Sequence, residues 1–172
     1  ITIWGDLMKG YYPATKGRNN TYPDSVKESK EVLKKMKNPD KDYFYLTDES
    51  PRYAFHQYLD SKGLDYDKKE LEKIVQDSIH VIDSLKKYHN RPRPAQVNPL
   101  INTFDSKTAK TPSYPSGHAL QSYLIAKHLS KKYPFRTYQF YSIADRIANA
   151  RVSYGLHYPS DNRYAKELAE KM

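Results

Sequence analysis

At 172 residues, the chain is long enough to bury one sizeable core, and its 38% hydrophobic residues recur too regularly for a disordered polymer. A formal net charge of +9 admits nucleic acid, an anionic membrane surface or a small anionic substrate as partner, while the lack of cysteine excludes disulfides, thiolate catalysis and cysteine-ligated zinc. No segment approaches the ~18 consecutive apolar residues of a membrane span, and no signal peptide is visible after Ile1, where Asp6 and Lys9 interrupt any apolar run.

Residues 1–23 are rich in Gly, Tyr, Asn and Pro and are expected to be an irregular lead-in, broken at Pro13 and Pro23. A first helix is expected from Asp24, its cap, to about Lys37, with Val26, Val32, Leu33 and Met36 forming a loose apolar stripe. A second runs from about Pro51 to Lys62 and closes at Gly63. The strongest period lies between Asp67 and Lys87, where Leu71, Ile74, Val75, Ser78, Ile79, Ile82 and Leu85 share a face. Asp67 with Glu70 has the form of a capping pair, and Asn90-Arg91-Pro92-Arg93-Pro94 ends the helix because proline lacks a donor and restricts its predecessor. A long loop continues to Pro115. Helices follow at Gly117 to about Lys132, at about Arg136 to Val152, and from Asp161 to the chain end with Ser160 as cap. No segment alternates with period two and no repeat is visible, so the expected class is all-α, a single domain over residues 1–172 built as a helical bundle.

Three segments at the ends of these helices are rich in chemistry. In Lys86-Lys87-Tyr88-His89-Asn90-Arg91-Pro92-Arg93-Pro94 a basic helix end leads to an arginine held between prolines, which taken alone is ordinary complementation of the helix dipole. Pro115-Ser116-Gly117-His118 opens a helix whose free N–H groups suit an anion, or is simply a serine cap with a surface histidine. In Arg151-Val152-Ser153-Tyr154-Gly155-Leu156-His157-Tyr158-Pro159-Ser160-Asp161, the Asp161 carboxylate can turn back to orient His157 as a nucleophile, or the pair can be a structural corner.

Together, Lys86-x6-Arg93-Pro94, Pro115-Ser116-Gly117-His118 and Arg151-x5-His157-x3-Asp161 resemble, in content and order, the tripartite signature of the type 2 phosphatidic acid phosphatase superfamily, spanning residues 86–161. The Lys-x-Tyr-x-x-Arg-x-Arg-Pro form of the first segment is most similar to the soluble bacterial class A non-specific acid phosphatases. Ala150 departs from the pattern, standing where the family usually has serine. The resemblance implies a helical acid phosphatase/vanadium haloperoxidase type of fold and a metal-independent hydrolysis of phosphate monoesters that needs no cofactor. It implies His157 as nucleophile, Asp161 as the group that orients it, and His118 as general acid and base. Lys86, Arg93, Ser116, Gly117 and Arg151 would hold the phosphate, and vanadate would occupy the same place as an inhibitor. The resemblance also implies an acidic pH optimum and an exported or periplasmic setting.

A vanadium-dependent haloperoxidase would use a similar pocket, and a lipid phosphate phosphatase working at a membrane surface fits the positive charge. The non-enzyme alternative is a nucleic-acid-binding module, disfavoured because lysines such as Lys30, Lys34, Lys68 and Lys131 are spread over several helices with no recognised motif. No nucleic-acid partner is expected, and oligomeric state is not legible. Tyr88, Tyr114, Tyr154 and Tyr158 flank the motifs and are candidates for the substrate mouth, while His80 and His128 are expected to be packing or surface residues.

Overall fold

The computed structural model describes residues 21–103, 106 and 108–172. Of the expected lead-in, only Thr21, Tyr22 and Pro23 fall among them. The described residues form helices and loops, with no strand. The helices are α1 (Ser25–Lys35), α2 (Lys41–Thr47), α3 (Arg52–Ser61), α4 (Lys68–His89), the single turn α5 (Pro94–Val97), α6 (Gly117–Lys132), α7 (Thr137–Ser153) and α8 (Pro159–Lys171), with a 3-10 turn at Pro134–Arg136 before α7. The protein is all-α, as its periodicity implies.

Helix α6 is the centre of the packing. It lies against α4, α7 and α8, and it buries Ala119, Leu120, Tyr123, Ile125, Ala126 and Leu129. A helix covered on several sides needs an apolar surface all round, which is why α6 has little polar face. Around it Phe55, Leu59, Leu71, Phe140, Ile147 and Ala165 complete the main core. Two smaller clusters lie beside it: Val32, Ile101, Val152 and Tyr158 in one, and Phe44, Ala150, Tyr154 and Leu156 in the other.

The helix ends follow local chemistry. Asp24 accepts from Lys27 N at 3.2 Å, Asp40 from Tyr43 N at 3.3 Å, and Asp67 from Lys69 N at 2.9 Å, each satisfying an N–H that the helix leaves unpaired. Glu70 does not close the expected capping pair; its carboxylate lies 3.2 Å from His128 Nε2 on α6. Asn90 ends α4 in the left-handed region (φ 53°) and turns the chain into the Arg91–Pro94 segment. The cap of α8 is Tyr158 rather than Ser160. Pro159 takes the first helical position, where its missing N–H matters least, and Asp161 reaches back to Tyr158 N at 3.0 Å.

Helix α2 was not expected. Its sequence, KDYFYLT, is too short to display a period, but the Asp40 cap signs its start and Phe44 anchors it. Helix α1 also differs from expectation. Val26 is 54% exposed, and the inward positions are Ser25, Glu28, Ser29 and Val32, because much of this face meets a buried arginine rather than apolar core.

Candidate active site

The C-terminal end of α4, the N-terminus of α6, the C-terminal end of α7 and the loop before α8 converge on one cavity of about 390 Å³. Lys86, Arg93, Gly117, His118, Arg151 and His157 all line it, so six of the eight candidate residues share a space although they span much of the chain. Ser116 does not line it. It is buried, and its Oγ accepts from Ala119 N at 3.2 Å as the cap of α6. Asp161 lies behind His157, with its side chain fully enclosed.

His157 sits just after Gly155, whose φ of 76° suits glycine. A Cβ at Gly155 would stand 3.0 Å from Met36 and 3.1 Å from Ile101, so the turn that delivers His157 is also tightly packed at this position. The ring is fixed from both sides. Arg93 Nη1 donates to Nε2 at 3.0 Å, and an arginine N–H can only donate, so Nε2 carries the lone pair. Nδ1 therefore holds the proton and donates to Asp161 Oδ2 at 2.8 Å. Asp161 Oδ2 also accepts from Ser113 Oγ and Tyr158 N. The aspartate thus fixes the tautomer and leaves Nε2, the basic nitrogen, on the side of Arg93 and the cavity.

His118 is held at its other nitrogen. Its Nε2 lies 2.8 Å from Thr47 O and 2.9 Å from Asp48 O, two acceptors, so Nε2 bears the hydrogen and Nδ1 is the atom that can exchange a proton. Ser122 Oγ donates to the His118 carbonyl at 2.6 Å one turn further along α6.

The cations are tied to fixed acceptors. Lys86 Nζ donates to Pro112 O at 2.6 Å. Arg93 Nε donates to Thr111 O at 2.7 Å and Nη1 to Leu156 O at 2.9 Å. Arg151 Nη1 meets Asp48 Oδ1 at 2.7 Å and Nη2 meets Thr108 Oγ1 at 3.0 Å, while its buried Nε has no partner among the described residues. An orphaned N–H in a basic cavity is a donor awaiting an acceptor. Gly117 faces Ile82, where an added Cβ would make ordinary contact at 3.5 Å, so packing alone does not demand glycine there.

Burial disturbs the ionisable groups of the site, and repulsion between like charges adds to it at Arg93, Lys86, His157 and His118. Burial, then the Arg151 charge, drops the Arg93 guanidinium to about 9. Burial, then Arg93, takes the Lys86 ammonium well below its usual range. Burial followed by Arg93, Lys86 and Arg151 pushes His157 well down, so its ring is neutral and its Nε2 lone pair carries no proton. His118 falls to about 3 through burial and Arg151. Burial raises the Asp161 carboxyl, with Arg91 the largest opposing influence. Such a set of like charges, underpaired and partly dehydrated, is built to receive an anion. Among the described residues no cluster of three His, Asp or Glu side chains could hold a metal ion, and no helix is long and apolar enough to cross a membrane.

Several participants were missed in the sequence. Asp48, Thr47, Thr108, Thr111 and Ser113 lie outside the three motifs and have no spacing to announce them; the Asp40 cap is the one signal that could have placed α2, which brings Thr47 and Asp48 to the site. Ile79, expected in the core, is 40% exposed and lines the cavity with Val75 and Ile82 as an apolar wall. The tyrosines proposed for the mouth are elsewhere. Tyr154 stacks on Phe44 at 3.9 Å between ring centres, and Tyr114 and Tyr158 surround Arg91. Tyr88 is 60% exposed and does not line the cavity. Ala150 packs beside Phe44, Tyr154 and Leu156, away from the cavity lining.

A profile of the PAP2 superfamily matches residues 74–164, the span that carries Lys86, Arg93, His118, Arg151 and His157. No curated protein matches significantly. The profile covers more than half of the chain and supports an activity of the phosphatase type; the chain belongs to the PAP2 superfamily.

Proposed function

We propose that the protein is a metal-independent acid phosphatase that hydrolyses phosphate monoesters through a phosphohistidine. The observation that carries this reading is the His157 Nε2 lone pair, fixed by Asp161 and Arg93, in one cavity with Lys86, Arg151 and His118. The phosphate oxygens sit among Lys86, Arg93 and Arg151, whose charges offset the negative charge that otherwise repels a nucleophile. Arg151 Nε donates to one of them. Nε2 of His157 bonds to phosphorus as the bond to the ester oxygen breaks, and His118 Nδ1–H passes its proton to the departing alkoxide. His118, now neutral, takes a proton from water; the hydroxide bonds to phosphorus, the P–N bond breaks, and inorganic phosphate leaves.

Three fixed cations supply the positive charge that bound metal ions supply in other phosphatases, so this chemistry needs no metal or cofactor. The cavity is large enough for a phosphate with a modest leaving group lying along the Val75–Ile79–Ile82 wall. The test is hydrolysis of p-nitrophenyl phosphate in chelator, with acid-labile label from ³²P-substrate trapped on the protein. His157→Ala should abolish both signals and vanadate should inhibit turnover. Undiminished turnover by His157→Ala would remove the mechanism, and vanadate-dependent halide oxidation would favour a haloperoxidase instead.

A further inference from the structure

Behind Asp161, away from the cavity lining, lies a buried arginine that the catalytic reading does not use. Arg91 has no exposed side-chain surface, and every donor on it is engaged. Nε donates to Ser25 Oγ at 3.1 Å. Nη1 donates to Ser160 Oγ at 2.7 Å and Asp161 Oδ1 at 2.9 Å. Nη2 donates to Pro23 O at 3.3 Å and Glu28 Oε2 at 3.1 Å. Its guanidinium lies 3.8 Å from the Tyr158 ring centre, with the Tyr22 and Tyr114 rings at 5.3 and 5.5 Å. Glu28 closes the arrangement from α1, accepting from Ser160 N at 2.6 Å and Ser160 Oγ at 2.7 Å.

Two carboxylates thus flank one guanidinium in a buried site. The three groups together carry one negative charge, and His157 is the ring bonded to its far end. We propose that Arg91 and Glu28 are a positioning pair for His157: Arg91 keeps Asp161 ionised and fixed, and Glu28 balances Arg91 so that Asp161's charge stays available to the imidazole. Neither residue lines the cavity, so both act through Asp161. Burial pushes the Asp161 carboxyl up and Arg91 is the first influence holding it down, in agreement with this geometry. A lone arginine would draw the carboxylate toward itself and weaken its hold on Nδ1–H; a second carboxylate on the opposite edge offsets that pull.

This inference rests on the proposed role of His157 but is tested apart from it. The variants are Arg91→Lys, Arg91→Met and the near-isosteric Glu28→Gln, which retains the fold should Arg91→Met fail to. With p-nitrophenyl phosphate, kcat should fall ~10–100-fold in Arg91→Met and Glu28→Gln while KM and vanadate inhibition change little, because the phosphate-holding cations are untouched. Arg91→Lys should recover part of kcat. The acid-side limb of kcat should move to higher pH in Arg91→Met, where Asp161 protonates more easily, and to lower pH in Glu28→Gln, where it protonates less easily. General structural damage does not produce shifts of opposite sign. Independently of activity, ¹⁵N-histidine NMR should show His157 protonated at Nδ1 in the unmodified protein and a mixture of tautomers in Arg91→Met. An unchanged tautomer in both Arg91→Met and Glu28→Gln, or acid limbs that stay in place, would overturn the proposal. An unmodified protein without phosphatase activity but with the tautomer response would instead overturn the catalytic reading and leave the positioning pair standing.

Discussion

Replacing His118 with glutamine should make the protein less sensitive to acid, even as it removes the proposed proton donor. In the folded chain the His118 imidazole is held at about 3 by burial and Arg151, whereas an unfolded histidine titrates near 6.5. Between these values the unfolded chain binds a proton that the folded chain refuses, so stability is intact above pH ~6.5 and is lost as pH falls below it. From pH 7.5 to 4.5, this one group should withdraw ~2.7 kcal/mol. For a chain of this size that corresponds to a drop in Tm of ~5–10 °C. His118→Gln loses pH-independent stability as well, but that part cancels when each protein is compared with itself at the two pH values. Thermal melts at both pH values should therefore show a Tm drop several degrees smaller in His118→Gln. Saturating phosphate should narrow the drop in the unmodified protein too, because an anion beside Arg151 restores the imidazole's affinity for its proton. In the proposed mechanism that recovery would let His118 act as an acid in the substrate complex, and it would place the activity optimum on the acidic side. Equal pH-dependent drops in the two proteins would refute the account of how His118 is held.

Gly155→Ala should lower stability by ~1–3 kcal/mol, since φ is 76° and the new methyl would stand 3.0 Å from Met36 and 3.1 Å from Ile101; a Tm within a degree of the unmodified protein would contradict this. Asp48→Asn should lower kcat for p-nitrophenyl phosphate by ~10-fold while leaving phosphate inhibition as strong or stronger, because it frees the Arg151 charge but loosens its 2.7 Å anchor. Parallel measurement of kcat and the phosphate inhibition constant checks both signs.

The helices that could be read from the sequence were those with a long period and a signed end. Helix α4 has Asp67 at one end and the proline-bound arginines at the other, and α6 begins where Ser116 caps it. The motif residues were legible because their types and order are distinctive, and of the eight candidate site residues all but Ser116 and Asp161 line the cavity. What escaped notice lacked a pattern of its own. Helix α2 is seven residues long, too few for a period, yet it leads into the carbonyls that fix His118. In α1, the inward positions 25, 28, 29 and 32 do have helical spacing, but serine and glutamate occupy three of them, so the stripe does not register as apolar. Ile79 followed the period faithfully and still faces the cavity, because periodicity identifies a face and not what covers it.

Glu28 on α1 and the Thr47 and Asp48 carbonyls at the end of α2 precede the family-matched span of 74–164, yet each grips a member of it. A fragment cut to that span would retain every signature motif and lose the struts that hold His118 and the Glu28 carboxylate that braces Arg91 behind Asp161. Any attempt to excise, transplant or shorten this enzyme should therefore draw its boundary ahead of α1: the recognisable stretch and the working unit differ in extent.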